Sequence, residues 1–130
     1  MKPPCTIVAS QVLPAVRVVV ARALIETHEL KPTLVASKMG LTPAAVTQYV
    51  SGVRGGRLVS VIQGSKKVGE VLDELVEELL KVHPDRHTVL AAVCELCRAV
   101  RKERMLCQFC DGSVGVVGAD QCDLCLQLSR

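Results

Sequence analysis

The stretch that most constrains the fold is residues 32 to 54, where a glycine turn separates two short helical patterns. Gly40 follows the first pattern, at the position where a helix commonly ends in the left-handed conformation. Thr42 is a good N-cap, and Pro43 stands at the first helical position, where its missing N–H is not needed. We therefore expect a second helix from Pro43 to about Ser51, packed at a tight corner against the first.

The second helix is expected to have one buried and one exposed face. Val46 and Tyr49 are three residues apart and fall on the inner side, where Ala36 of the first helix leaves room for close packing. The outer face is short-chained, uncharged and able to form hydrogen bonds, as a helix that enters the DNA major groove can be. Gln48 could make a bidentate contact to adenine there. The candidate DNA-contacting residues are Thr42, Pro43, Ala44, Thr47, Gln48, Ser51, Arg54 and Arg57.

The charge distribution supports this interpretation more than the net charge does. A net charge of +3 is a mild bias and does not by itself indicate nucleic acid. Residues 54 to 67 contain four basic residues and no acid, whereas residues 70 to 78 contain five acids and no base. The basic stretch therefore follows the second helix, where contacts to a phosphate backbone are expected.

The remaining sequence predicts an all-α fold. Residues 1 to 10 contain Pro3, Pro4 and an isolated Cys5, so we expect an extended arm that becomes helical after about Ala9. Apolar residues at helical spacing then predict a helix from about residue 11 to 29. Residues 55 to 65 resemble a loop, with room for a short helix near residues 58 to 62. The expected organisation is a helix-turn-helix domain (1–65), an amphipathic linking or dimerisation helix (66–84) and a cysteine-rich metal-binding region (85–130).

The amphipathic helix carries a broad apolar stripe opposite five acids. We expect the stripe to pack on the first domain and on a second copy of the chain; the alternative is that it only completes the monomer core. A two-fold pair would double the length of DNA that is read. His83-Pro84 should end this helix, and Asp85 or Thr88 should cap another, from about Val89 to residue 104.

Six of the seven cysteines form three Cys-x-x-Cys pairs, a spacing that favours a metal site over disulfides in a chain without a recognisable secretion signal. Two pairs supply four thiolates, which suit zinc or an iron–sulfur cluster. Cys94 and Cys97 are expected on a helix, which favours iron–sulfur. The last two pairs, separated by eleven residues, resemble a zinc ribbon. The pairs are Cys94 with Cys97, Cys107 with Cys110, and Cys122 with Cys125.

The corner resembles the helix-turn-helix of lambda-repressor-like (XRE-type) regulators, through Ala36, Gly40, Val46 and the run 47–52. The first five residues, MKPPC, and residues 12–17, VLPAVR, are similar to an archaeal branch of such regulators that carries cysteines behind the DNA-binding domain. The resemblance covers roughly the first 60 residues. It implies a transcriptional regulator that binds double-stranded DNA as a homodimer and senses redox state, oxygen or iron through a cluster, with 4Fe–4S favoured. The ligands implied by the resemblance are Cys5, Cys94, Cys97 and Cys107.

Two alternatives keep the fold but change the function: a structural zinc site, or an adaptor that no longer reads DNA. A thiol enzyme is disfavoured because the sequence has no thioredoxin-like βαβ pattern beside its cysteine pairs. No uncharged apolar run approaches the length of about 20 residues that a bilayer requires. The first residues also lack a signal-peptide pattern, so we expect a cytoplasmic protein without a membrane partner. We also expect no enzymatic activity.

Overall fold

The computed structural model describes residues 4–52, 58–106 and 127. Within these residues the chain is helical and contains no strand, which confirms the predicted all-α class. Two π-helical segments, Val8–Val12 and Ala23–Thr27, flank the second α-helix. The α-helices of the described part are α1 Pro4–Ile7, α2 Leu13–Arg22, α3 Pro32–Met39, α4 Pro43–Val50, α5 Leu58–Gln63, α6 Lys66–Leu80 and α7 Arg86–Lys102.

The N-terminal part of the chain is helical from Pro4, so the prediction of an extended arm up to about Ala9 was wrong. Ile7, Val8 and Val12 are all buried in the core, and this burial outweighs the weak helix propensity of β-branched residues. A proline in the first turn does not oppose the helix, because the N–H it lacks has no partner there. Cys5 therefore lies within α1, although its side chain is outside the described set.

The continuous helical run through α2 forms the centre of the bundle and packs against α4, α5 and α6. Ala15, Val18 and Ala21 are completely buried in it. By length and composition alone, Val8–Thr27 would suffice to cross a membrane, which the sequence interpretation did not anticipate. Of its most apolar window, 44% is buried inside the protein, and the core helix of a helical bundle passes the same test.

Helices α6 and α7 form a helical hairpin, the most extensively packed pair of elements in the described part of the chain. The apolar stripe of α6 is buried here: Leu72 and Leu75 are 5% and 3% exposed, and Leu96 of α7 is 1% exposed. A single chain thus covers the stripe by itself. The stripe therefore does not indicate a homodimer, which remains a prediction.

Glu78 is buried, whereas the sequence pattern placed it with the other acids on the solvent face of α6. Its carboxylate accepts a hydrogen bond from the backbone N–H of Asp85 at 2.9 Å and forms an ion pair with Lys81 at 2.7 Å. These contacts lower the pKa of Glu78, the Lys81 ammonium first and the Asp85 N–H second, and the pair raises the pKa of Lys81. Glu78 therefore organises the connection between α6 and α7.

Helix α7 begins at Arg86, three residues before the predicted start at Val89. Asp85 is its N-cap: one carboxylate oxygen accepts from the backbone N–H of Thr88 at 2.9 Å and from the Thr88 hydroxyl at 2.6 Å. The hydroxyl and the N–H together lower the pKa of Asp85. Of the two caps that the sequence left open, the earlier one is used.

Candidate nucleic-acid interface and cysteine pair

The corner between α3 and α4 is built by Gly40, which adopts the left-handed conformation with φ 66° and ψ 34°. The Leu41 N–H donates to the Ala36 carbonyl at 2.8 Å, which closes the end of α3. A Cβ atom added at Gly40 would meet nothing within 4 Å. Glycine is therefore favoured here by its backbone angle and not by lack of space.

Helix α4 begins as predicted, because local side chains define its first turn. Thr42 Oγ1 accepts a hydrogen bond from the Ala45 N–H at 3.2 Å, and Pro43 occupies the first helical position. The helix ends at Val50, with Ser51 as its C-cap and Gly52 next at φ 82°. Both predicted ends of this helix agree with the structure to within a residue.

The two faces of α4 also separate as predicted. Val46 is fully buried and Tyr49 is 4% exposed, so both lie on the inner side. The predicted outer face is exposed along its whole length, together with the cap Thr42: Pro43, Ala44, Thr47, Gln48 and Ser51.

The hydroxyl groups on the outer face donate back to their own helix. Thr47 Oγ1 donates to the Pro43 carbonyl at 3.0 Å, and Ser51 Oγ donates to the Gln48 carbonyl at 3.0 Å. Each hydroxyl oxygen keeps lone pairs with which it can accept from a ligand. The exposed amide of Gln48 adds both donors and an acceptor. The outer face therefore offers a mixed hydrogen-bonding surface without charge.

Arg22 of α2 fixes the C-terminal end of α4, a role that sequence reasoning missed. Its Nε donates to the Tyr49 carbonyl at 3.3 Å. A cation at the C-terminus of a helix also complements the helix dipole. The guanidinium lies close enough to Gly52 that an added Cβ would be 3.4 Å from one of its nitrogens. No local pattern identifies this contact, since the two residues are 27 positions apart.

Lys38 of α3 links the corner to the α6–α7 hairpin. Its Nζ donates to the Lys81 carbonyl at 2.6 Å, across 43 residues of sequence. Lys81 is also the ion-pair partner of Glu78 in the connection between the two helices. The α6–α7 connection is therefore bonded to α3 of the corner, a contact that no local sequence pattern predicts.

The predicted basic stretch is described only in part. Lys66 and Lys67 are exposed at the start of α6, where Ser65 caps the helix by accepting from the Val68 N–H at 3.3 Å. Arg54 and Arg57 lie outside the described residues. Of the four basic residues in the predicted stretch, the two lysines are therefore the ones whose exposure is described.

Cys94 and Cys97 lie one turn apart on α7, as the sequence predicted. Cys94 is exposed and Cys97 is half-buried. Glu95 and Arg98 form an exposed ion pair at 2.7 Å beside them. Two thiols at this spacing fit two positions of a tetrahedral sulfur site.

The other five predicted metal ligands lie outside the residues whose side chains are described: Cys5, Cys107, Cys110, Cys122 and Cys125. In the part of the chain that is described, no three histidine, cysteine or acidic side chains come together as a metal site. The cysteine pair of α7 is thus the portion of the predicted centre whose geometry is defined.

Comparison with known protein families, curated proteins and solved structures finds no match for this chain. The resemblance to lambda-repressor-like regulators therefore remains a prediction from the sequence. The geometry of the corner and of the cysteine pair carries the functional argument.

Proposed function

We propose that this protein is a sequence-specific regulator of transcription that inserts α4 into the major groove of double-stranded DNA. The observation that carries this proposal is the contrast between the two faces of α4. The inner face is buried and both ends are held, while the whole outer face is exposed, uncharged and able to form hydrogen bonds. Residues that the fold does not need are thus available for base contacts.

In this proposal Gln48 reads adenine through its amide, and Thr47 and Ser51 accept hydrogen bonds from base amino groups. Lys66 and Lys67 contact phosphates, together with Arg54 and Arg57. Base contacts set specificity and phosphate contacts set the salt-dependent part of the affinity. The two groups of residues should therefore respond differently to substitution.

The test begins with selection of binding sites from a random duplex pool by the full-length protein. Affinity for the selected site is then measured by fluorescence anisotropy. We expect Gln48→Ala to lose about 1–3 kcal/mol for that site and little for random DNA. Gln11→Ala, which removes an exposed glutamine from the N-terminal helical run, is the matched control and should bind as the parent does.

Failure to select any sequence, or an affinity of Gln48→Ala for the selected site equal to that of the parent, contradicts base reading by α4. The adaptor function would then gain support.

Substitution of Lys66 and Lys67 by glutamine should weaken binding to all duplexes and reduce its salt dependence.

We propose further that thiolates of the cysteine-rich region hold an iron–sulfur cluster, with 4Fe–4S favoured and structural zinc as the alternative. Cys94 and Cys97 fit two ligand positions, and their regular helical setting favours the cluster over a zinc knuckle. Such a cluster, when bound, would join its cysteine ligands, and this connection would depend on redox state, oxygen or iron. The remaining ligands would come from the other predicted cysteines.

The contacts within the chain offer a route from the cysteine pair to the DNA-reading face. Helix α7 packs on α6, and the connection between them is bonded to α3 through Lys38. A shift of α7 would therefore change the support of the corner.

The metal proposal is tested by elemental analysis and visible absorption of protein prepared without oxygen. Iron and sulfide with an absorption that bleaches in air support the sensor, whereas zinc without colour supports the structural alternative. Protein that binds neither contradicts both. Cys94→Ser should lower the metal content, and Ser60→Ala, an exposed site on α5, should leave it unchanged.

The predicted homodimer is proposed on functional grounds, since two copies would read a longer site than one. Sedimentation with and without the selected duplex measures the stoichiometry. A symmetric site bound by two copies supports the dimer. One copy on a short asymmetric site contradicts it.

A further inference from the structure

An apolar groove lies between α3 and the start of α7, apart from the outer face of α4. Two cavities of about 390 and 300 Å³ adjoin here, and Lys38, Val89 and Leu90 line both of them. No residue of the α4 outer face lines either cavity. Apolar residues of α2 and α6 form part of the wall of the second cavity: Leu13, Val16, Val20, Leu75 and Leu79.

Exposed apolar side chains are concentrated at this groove. Leu34, Val82 and Leu90 are 44%, 85% and 54% exposed, and all three line the first cavity. Among the described residues, one other large apolar side chain is comparably exposed: Val61 on α5, at 39%. A cluster of this kind, with polar groups at its rim, marks a site of protein interaction more often than a scattered apolar residue does.

The charged residues that line the groove all have one sign. They are Arg17, Lys38 and Arg86, and no acidic residue lines either cavity. Arg17 and Arg86 are exposed, so their guanidinium groups are available to a partner. The groove thus combines an apolar floor with a cationic rim.

We propose that this groove binds an acidic amphipathic helix of another protein. A helix docks in a groove through apolar side chains at positions i, i+3 or i+4, and i+7. Leu34, Val82 and Leu90 would contact those anchors, while carboxylates beside them would pair with the cationic rim. This complementarity selects an acidic partner over a neutral or basic one.

A second copy of the chain fits the groove less well than such a partner. Two-fold packing of groove on groove would bring the cations Arg17, Lys38 and Arg86 of the two copies together. The acidic face of α6 offers carboxylates, but its apolar stripe is buried in its own chain. A second copy therefore lacks a described surface that presents apolar and acidic groups together.

The test uses the full-length protein and a synthetic helical peptide of about 15 residues, with leucine at the anchor positions and glutamate between them. Binding is measured by fluorescence anisotropy at low and high salt. The acidic peptide should bind, and versions with lysine for each glutamate or serine for each leucine should not. Equal binding of the acidic and lysine versions would overturn the proposal.

Substitutions in the groove locate the site. Leu90→Ser should weaken peptide binding by about tenfold or more, as expected for loss of an interface anchor. Arg86→Gln should weaken it mainly at low salt. Val61→Ser, at the exposed apolar residue outside the groove, is the matched control and should leave binding unchanged. An equal effect of Leu90→Ser and Val61→Ser would show that the peptide does not use this groove.

The proposal can fail independently of DNA binding. Leu90→Ser should retain the affinity of the parent for a selected duplex, because the groove does not include the outer face of α4. If Leu90→Ser instead abolishes self-association while the peptide does not bind, a second copy occupies the groove and the proposal is overturned.

Discussion

Helices α4 and α7 both carry candidate functional side chains, but they are stabilised in different ways. Helix α4 has 8 residues and depends on its cap, on Gly40, on Arg22 and on two buried side chains. Helix α7 has 17 residues and packs along α6. Short helices are marginal on their own in water, so α4 requires this external support.

This difference determines how function and stability are coupled in each helix. The outer face of α4 makes no contribution to the core, so its residues can be exchanged without unfolding the protein. On α7, Cys97 is half-buried and packs against the core next to Leu96. Function and stability should therefore separate cleanly on α4 and overlap on α7.

The largest effect is expected for Leu96→Ala, which should lower the free energy of unfolding by about 2–5 kcal/mol because Leu96 is 1% exposed and leaves a cavity. Urea denaturation measures the loss. Leu90→Ala is the control on the same helix: at 54% exposure it should change stability by no more than about 0.5 kcal/mol. Similar losses for both would show that α7 is not held by its packing on α6.

Gly40→Ala should destabilise the protein by about 1–2 kcal/mol, the energy of placing a residue with a Cβ in the left-handed conformation. Gly69→Ala provides the opposite case, because Gly69 is in the interior of α6 with no atom within 4 Å of an added Cβ. Because only the backbone of α6 itself surrounds that position, alanine should stabilise the helix by about 0.5–1 kcal/mol through its higher helix propensity. Thermal denaturation of the two variants gives the comparison. A change of the same sign in both would contradict the explanation that the left-handed backbone angle requires glycine at position 40.

Thr42→Ala should cost about 1 kcal/mol, since it removes the acceptor for the Ala45 N–H at the start of α4. Thr42→Ser keeps the hydroxyl and should retain most of the stability. Hydrogen exchange of the first turn of α4 reports the effect locally. Equal exchange in the alanine and serine variants would show that this cap does not hold the helix.

The smallest effect concerns pH and the connection between α6 and α7. The pKa of Glu78 is lowered in the folded state, so the unfolded chain binds its proton more readily. The stabilisation is present above the ordinary pKa of about 4.3 and is lost as pH falls through the lower, folded value. Glu78→Gln should therefore reduce stability at neutral pH and flatten its acid dependence, as measured by denaturation between neutral and acid pH.

Glu77→Gln is the matched control for this experiment, because Glu77 is exposed on the same helix. It should leave the acid dependence as in the parent. A pH profile that is identical in the parent and in Glu78→Gln would exclude the contacts of Glu78 with Lys81 and the Asp85 N–H as a source of acid sensitivity. Asp85, whose pKa is also lowered, should account for part of the remaining dependence.

The sequence by itself determined the helices that local chemistry controls. The cap Thr42, the proline at position 43 and Gly40 act on backbone groups a few residues away, so both ends of α4 and its two faces were predicted correctly. The N-terminal arm was predicted wrongly because the burial of Ile7 and Val8 is a tertiary effect. The start of α7 differed by three residues because Asp85 and Thr88 are both good caps.

Only the tertiary structure decided which distant residues meet. The contact of Arg22 with the end of α4 and the bond from Lys38 to the Lys81 carbonyl each join elements far apart in sequence. Their partners depend on how whole helices cross, which no local spacing encodes. The groove between α3 and α7 exists for the same reason: its apolar and cationic side chains come from separate helices that packing brings together.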